Sequence, residues 1–336
     1  MSARRLRIVF LGSGAFGVPT LRAIRDEHDV LAVVTQPDRP AGRGRTLAPT
    51  PIAAFAQEVG LALRKMDDVN LPADAGALRD LRPDAFVVIA FGQKLAQPLL
   101  QDIFAINLHA SLLPKLRGAA PINWAMIEAA AAEEPAITGV SVISVAQRMD
   151  AGLIYAQAAT EIDPLETCGE LHDRLAALGP AVVLETLAKF SGGALAGQVQ
   201  DEGRVTKARK LRKEDGRIDL RAMDARTARC RIHGLTPWPG CDLFVEGAAE
   251  TPGGQSVRLL RVRDLVEGGT AGAGVIADDG TITCLRGRLE VLELQPPGGK
   301  PMTLDAYRAG RPWRAGMRVS PIPSATPSNA RESSPS

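Results

Sequence analysis

The chain has 336 residues, 45% of them hydrophobic and 23% charged, with a formal net charge of +2. That length suits two domains, each large enough for its own core, and the composition excludes a disordered chain. Near-neutral charge means that any nucleic-acid surface must come from local clustering, and 4% aromatic residues are too few for extended base-stacking platforms.

The N-terminal MSARRLRIVFLGSGAF is basic and then briefly apolar. Its apolar run ends in a glycine turn and lacks a signal-peptide core and cleavage site, so it reads as a first buried strand. No apolar stretch reaches the roughly 18 residues of a membrane span, so a soluble protein with no membrane partner is expected. LRIVFLG (6–12), DVLAVVT (29–35) and DAFVVIAFG (84–92) have the continuous apolar content of strands buried on both faces. Between them, VPTLRAIRDE and TPIAAFAQEVG carry helical spacing with Pro near the start. This βαβα order predicts an α/β unit with a Rossmann-like, mostly parallel sheet. GVSVISVAQ and GLIYAQAATEI, split by RMDAG, would extend that sheet. Residues 165–190 are helical on pattern, with a break expected at Gly179-Pro180.

From Gly203 the composition changes. GRVTKARKLRKEDGR is polar and basic without apolar periodicity, and reads as a linker. An Arg-rich helix (AMDARTARCRIHG) and a Pro-Trp-Pro-Gly turn follow. SVRLLRVRDL, AGVIADDG, TITCLRG and RLEVLELQP then predict a small C-terminal β-barrel of OB-like kind. The Ser- and Pro-rich tail reads as disordered. The expected division is a catalytic domain over 1–202, a basic linker over 203–218, a barrel domain over 219–320 and a tail over 321–336. The four cysteines (168, 230, 241, 284) show no ligand or CxxC spacing. They argue against a zinc site or disulfide framework and for a reducing cytoplasm.

Gly12-Ser-Gly14-Ala-Phe-Gly17 satisfies GxGxxG after a strand. A dinucleotide site also wants an acid ending the second strand, about 20 residues on. The chain has Thr35-Gln36-Pro37 there, so the glycines are expected to form a tight turn lining a cleft.

Chemistry points instead to Asn107, His109 and Asp150. Asn107 and His109 are two residues apart at the end of an expected strand, hence on one side of it. Asp150 lies in the turn RMDAG. A carboxylate beside an imidazole fixes its tautomer and favours its charged form, and an amide NH₂ can donate to a developing oxyanion. Such a trio suits acyl transfer without a covalent intermediate. No GxSxG elbow or paired Cys nucleophile offers the covalent route. By spacing alone, a strand-end His is more often a satisfied structural residue. His28, His172 and His233 have no partner pattern.

QPDRPAGRGR (36–45), NLHASLLPKLRGAAPINWAM (107–126), TGVSV with MDAG (138–152), and KARKLRKEDGRID with GLTPWPG (207–240) resemble, in the same order, the methionyl-tRNA formyltransferase family of folate-dependent formyltransferases. The resemblance spans about residues 6 to 318. It implies transfer of a formyl group from 10-formyltetrahydrofolate to the amino group of methionine on initiator methionyl-tRNA, for translation initiation, with no metal and no obligate protein partner. It assigns Asn107 and His109 to the tetrahedral intermediate, and Asp150 to holding the His charge and relaying the amine proton. Ser111, Leu112, Leu113 and Pro114 would contact the folate, with Phe91 and Gly92 as a neighbouring wall. Arg39, Arg43 and Arg45 would approach the acceptor end of the tRNA. Lys207, Lys210, Arg212 and Lys213 would track a phosphate backbone, consistent with the shape-based reading of double-stranded RNA. The nearest alternatives are formylation of a sugar-nucleotide amine, hydrolysis of the formyl folate, or a tRNA-binding module without catalysis. Gln147-Arg148 and the segment 128–136 depart from the family pattern.

Overall fold

A computed structural model describes residues 4–41, 46–246, 254–266 and 272–322. They divide into two compact units. The first takes Met1–Asp163 and Cys168–Lys210; the second takes Pro164–Thr167 and the chain from Leu211 onward.

The strands of the first unit are β1 (Arg7–Gly12), β2 (Asp29–Thr35), β3 (Arg39–Ala41), β4 (Thr46–Ala48), β5 (Leu63–Lys65), β6 (Ala85–Ile89), β7 (Phe104–His109), β8 (Arg117–Gly118), β9 (Ile137–Ser144), β10 (Ile154–Glu161) and β11 (Lys207–Ala208). Its helices are α1 (Val18–Glu27), α2 (Pro51–Glu58), α3 (Pro72–Arg79), α4 (Gln97–Leu100), α5 (Pro121–Glu128) and α6 (Cys168–Ser191). One seven-stranded sheet runs β10-β9-β7-β6-β1-β2-β5. Its members from β7 to β5 pair in parallel, and β9 is antiparallel to both β7 and β10. The sheet is mostly parallel, as expected, and the two runs after Thr138 do extend it.

Both faces of the central strands are buried, which is why their sequences are apolar without alternation. Val9 and Leu11 join Val34, Phe86, Val88, Leu78 and Leu99 in one cluster, while Ile8 and Phe10, also fully buried, point the other way. Strand order reverses between β1 and β6. The crevice where open α/β sheets take their ligands therefore opens at the carboxyl ends of those strands.

The glycine turn at residues 12–17 is built for packing. A Cβ on Gly12 would lie 2.7 Å from the Phe10 ring and 2.8 Å from Ile89 O. The amides of Ser13 and Gly14 both donate to Ala90 O (3.2 and 3.3 Å). Two donors that a pyrophosphate would require are thus committed to the protein.

Helix α6 corrects one expectation. It runs unbroken from Cys168 to Ser191 through Pro180. A Cβ at Gly179 would sit 2.6 Å from Leu108 Cδ2 and 2.7 Å from Thr20 Oγ1. The glycine lets the helix seat closely on the sheet, and burial of Leu175, Val182, Val183 and Leu187 offsets the local cost of the proline.

The second unit contains α7 (Ala225–Gly234), α8 (Leu304–Arg308) and strands β12 (Cys241–Val245), β13 (Gln255–Leu265), β14 (Ile282–Thr283), β15 (Arg288–Gln295), β16 (Met302–Thr303) and β17 (Val319–Pro321). The sheet order is β14-β15-β13-β12-β17, with β16 paired to β15. The ring closes through residues 275 and 276. Val275 bridges Arg318, next to β17, and Ile276 bridges Ile282 of β14. The expected strand AGVIADDG is reduced to these bridges because Gly274 and Gly280 take positive φ on either side of them. Fully buried Tyr307 packs edge-to-face on Trp313 at 6.0 Å in the core. Residues 323–336, most of the expected disordered tail, lie outside the described residues.

The basic segment has its own local structure. Glu202–Arg204 is a single 3₁₀ turn, β11 pairs in parallel with β8, and Lys213–Gly216 is a second turn. The division between units falls inside it, after Lys210.

Candidate active site

Strand β7 carries FAINLH between β6 and β9, with Asn107 opposite Val88 and Ile143, and His109 opposite Ser141. The i, i+2 spacing puts the amide and the imidazole on one face at the end of the strand. Asp150 reaches the same place from the turn between β9 and β10, where its φ of 54° is left-handed. Asp150 Oδ1 lies 3.6 Å from His109 Nδ1, with the two side chains only 12% and 7% exposed. That gap is long for a hydrogen bond but short for Coulombic attraction between partly desolvated groups.

Each member of the pair is tied down from behind. His109 Nε2 meets Leu116 O at 2.9 Å, and Asp150 Oδ2 accepts from Gly118 N at 2.9 Å. Both imidazole nitrogens thus face oxygen atoms, one within hydrogen-bond distance and one beyond it. Asn107 is half-buried, and its side chain makes no hydrogen bond among the described residues. Its NH₂ remains available to a substrate oxygen.

The loop after β7 is fixed by residues that sequence reasoning did not single out. Fully buried Ser141 donates to Ser111 O (2.6 Å) and accepts from Leu113 N (3.0 Å) and Gln157 Nε2 (2.7 Å). Gln157 Nε2 also reaches Leu113 O at 3.0 Å. Ser141, a hydroxyl flanked by Val140 and Val142 in β9, was the available signal. Ser111, Leu112, Leu113 and Pro114 line a cleft of about 730 Å³ shared with Glu128, Ala132, Gln157 and Gln200. Burial raises the Glu128 carboxyl above its ordinary value, with nearby Lys115 opposing the shift.

Phe91 and Gly92, the other expected folate contacts, are not among the residues lining that cleft. They follow β6 at the strand-order reversal, with Gly92 at φ 79°. Phe91 O accepts from Gln36 Nε2 at 2.8 Å and Ser13 Oγ at 3.3 Å. The predicted folate residues therefore fall into two groups, one at the crevice and one in the cleft.

Behind the pair lies a polar chain from residues 200–208. Arg117, 7% exposed, donates through Nε and Nη2 to Gln200 Oε1 (3.0 and 2.7 Å). It also reaches Glu202 Oε1 at 2.9 Å, and Arg148 Nη2 reaches Glu202 Oε2 at 3.0 Å. Hydrogen bonds from Arg117 and then Arg148 hold the Glu202 carboxyl below its usual value. The atypical Arg148 is therefore engaged with Glu202 at the edge of the site.

The expected RNA-contacting cations divide similarly. Arg39 is exposed on β3, and Arg43 and Arg45 lie outside the described residues. Lys207, Lys210, Arg212 and Lys213 are exposed. Arg209 stacks over Trp124 at 4.7 Å while Trp124 Nε1 donates to Arg209 O at 2.8 Å, anchoring that stretch to α5. His28, His172 and His233 have structural partners: His28 Nδ1 accepts from Leu6 N, His172 contacts Asp173 and Phe16, and His233 Nε2 accepts from Val262 N. Among the described residues, no cluster of three or more His, Cys, Asp or Glu is placed to hold a metal ion, and no helix is long and apolar enough to cross a membrane.

Comparison with known proteins identifies the family of the chain as a whole. Residues 6–187 match the family described as Formyl transferase, and residues 210–312 match Formyl transferase, C-terminal domain. A methionyl-tRNA formyltransferase of Geobacter metallireducens is 38% identical over 319 residues, covering 94% of this chain and 98% of the relative. One from Pseudomonas paraeruginosa is 40% identical over 94% of this chain and 99% of its own length. Among solved structures, an N-formyltransferase from Helicobacter canadensis in complex with folinic acid and dTDP-3-aminofucose shares the fold. Its TM-score is 0.61 at 12% identity, covering 86% of this chain and 99% of that one. HypX from Aquifex aeolicus with tetrahydrofolic acid gives 0.58 at 17% identity, over 91% of this chain and 47% of that one. With both halves of the fold matched and full-length relatives this similar, the chain belongs to the methionyl-tRNA formyltransferase family.

Proposed function

We propose that this protein transfers a formyl group from 10-formyltetrahydrofolate to the α-amino group of methionine on initiator methionyl-tRNA, with Asn107, His109 and Asp150 as its catalytic residues. The buried His109–Asp150 pair beside an uncommitted Asn107 amide, at the end of the central strands, carries the reading.

The chemistry asks little of a base. A free α-amino group titrates at about 7.7–8.0 and an ester lowers that, so much of the nucleophile is neutral at cell pH. The main task is polarising the formyl carbonyl. Asn107 donates a hydrogen bond to the oxygen as negative charge develops on it. His109, whose Nε2 is engaged by Leu116 O, contributes mainly as a positive charge sustained by Asp150. The amine nitrogen bonds to the formyl carbon, the carbon's bond to the folate nitrogen breaks, and the amine proton passes by way of Asp150 and water to that nitrogen. The crevice where β1 and β6 diverge suits the folate ring, with Phe91 and Gly92 as its wall. Ser111, Leu112, Leu113 and Pro114 form the second boundary.

In this reading residues 1–202 form the catalytic domain, 203–218 a basic connection and 219–320 a barrel that grips tRNA. Lys207, Lys210, Arg212 and Lys213 follow the phosphate backbone, and Arg39, Arg43 and Arg45 meet the acceptor end. Substrates of this kind, together with four buried cysteines that form no disulfide, support a cytoplasmic protein. The test is formyl transfer from 10-formyltetrahydrofolate with charged initiator tRNA, a sugar-nucleotide amine and water as competing acceptors. Preferred transfer to the sugar amine or to water would refute the assignment.

A further inference from the structure

We infer that residues 200–208, beyond the last helix of the catalytic unit, form a clamp that positions the His109–Asp150 pair, with Gln200 and Thr206 as its positioning residues. The inference rests on the assignment of His109 and Asp150 to catalysis.

Gln200 is buried and uses both ends of its amide. Its Nε2 donates to Asp150 O and Gly152 O, each at 2.8 Å, and its Oε1 accepts two bonds from Arg117. The donated bonds bracket the backbone that Asp150 must hold at φ 54°. Asp tolerates that region better than most non-glycine residues, yet it is held there firmly only where its surroundings fix the backbone. Gln200 supplies that constraint.

Thr206 acts on the other partner. Its Oγ1 accepts from Leu116 N at 2.9 Å, and its carbonyl accepts from Arg117 N at 3.0 Å. The carbonyl of that same Leu116 meets His109 Nε2. One step along, β11 pairs with β8, and β8 presents Gly118 N to Asp150 Oδ2. A Cβ at Gly118 would collide with Ala208 O, so the ladder is as close as backbone allows. The segment grips both catalytic residues through Leu116 and the strand β8 that follows it, and through one side chain, Gln200. Thr206 is not among the residues lining the cleft, and Gln200, which is, has both ends of its amide committed to protein.

Three variants test this. Gln200→Glu keeps the size and the acceptor for Arg117 but loses the NH₂ that holds the Asp150 turn. Thr206→Val keeps the shape but loses the acceptor for Leu116 N, and Thr206→Ser restores it. Rates under saturating substrates, KM for tRNA, pH-rate profiles and melting temperatures are measured on the full chain. Gln200→Glu and Thr206→Val are expected to lower kcat about tenfold or more, displace the pH profile and leave KM for tRNA within about twofold, while Thr206→Ser recovers most of the rate. Groups acting through one another are non-additive, so adding Gln200→Glu to Asp150→Asn should cost little beyond Asp150→Asn alone. Losses that multiply, an unmoved pH profile, or a Thr206→Ser variant as slow as Thr206→Val would overturn the clamp. A fully active Asp150→Asn protein would instead overturn the catalytic assignment, so the two failures are distinct.

Discussion

Asp150 occupies a left-handed backbone conformation that Asn tolerates about as well as Asp. Asp150→Asn therefore tests charge with little backbone disturbance. The variant should melt near the wild type, yet transfer formyl at least about a hundredfold more slowly, the scale of losing one preorganised electrostatic group. Asn107→Ala should fall by a similar factor with tRNA affinity unchanged, because its amide acts where charge develops. Single-turnover rates beside filter binding would decide, and near-normal turnover in either variant would remove that residue from the mechanism. His28 gives a prediction of a different kind. Burial, only partly offset by Glu27, holds its pKa below the ordinary 6.5, and Nδ1 accepts from Leu6 N, which requires a neutral ring. The unfolded chain takes up this proton near pH 6.5 and the native state only at lower pH. Stability is therefore full above that value and declines as pH falls through it toward the folded pKa. His28→Asn, which keeps an acceptor for Leu6 N, should flatten the fall of melting temperature between pH 7.5 and 5.5. An unchanged slope would show that another group governs that range.

At the level of elements, the loop after β7 depends on one hydroxyl. Ser141 makes three hydrogen bonds there with none of its surface exposed. Ser141→Ala strands two backbone groups and should destabilise the protein by about 1–3 kcal/mol. A denaturant midpoint equal to the wild type would mean the loop is held elsewhere. This element also shows where sequence reading succeeds and fails. Strand β2 and helix α1 were legible to the residue, because an unbroken apolar run and a Pro-led helical repeat are local signals. Asn107 and His109 were legible because two residues on one strand share a face without help from the rest of the chain. The continuous α6 was not: Gly179-Pro180 is a break by local rules, and only packing against Leu108 and Thr20 overrides them. Ser141, Gln200 and Thr206 were invisible for a related reason. Their partners lie 16 to 90 residues away in sequence, so no spacing rule brings them together.

For the whole molecule, the basic run matters because it straddles both units: Lys207 and Lys210 belong to the first, Arg212 and Lys213 to the second. Exposed cations of this kind act on RNA phosphates by releasing counterions, a contribution that depends on charge and little on sequence. Neutralising Lys210 and Lys213 together should therefore weaken initiator and elongator tRNA alike. It should also flatten the dependence of log K on log salt by about 0.7–0.9 per lost phosphate contact. Arg43 is expected to behave differently. In sequence it follows strand β3, which pairs only with β4 and begins shortly after the carboxyl end of β2. A contact made there when the acceptor end enters is used to position the amine, so its loss appears in the rate of transfer more than in affinity. Arg43→Ala should thus lower single-turnover formylation of initiator tRNA more than it lowers tRNA binding, with the salt slope nearly intact. Filter binding at several salt concentrations and single-turnover rates on both variants make the comparison. If both lose rate and affinity in the same ratio, Arg43 is one more phosphate contact and the division of labour between the loop and the basic run does not exist.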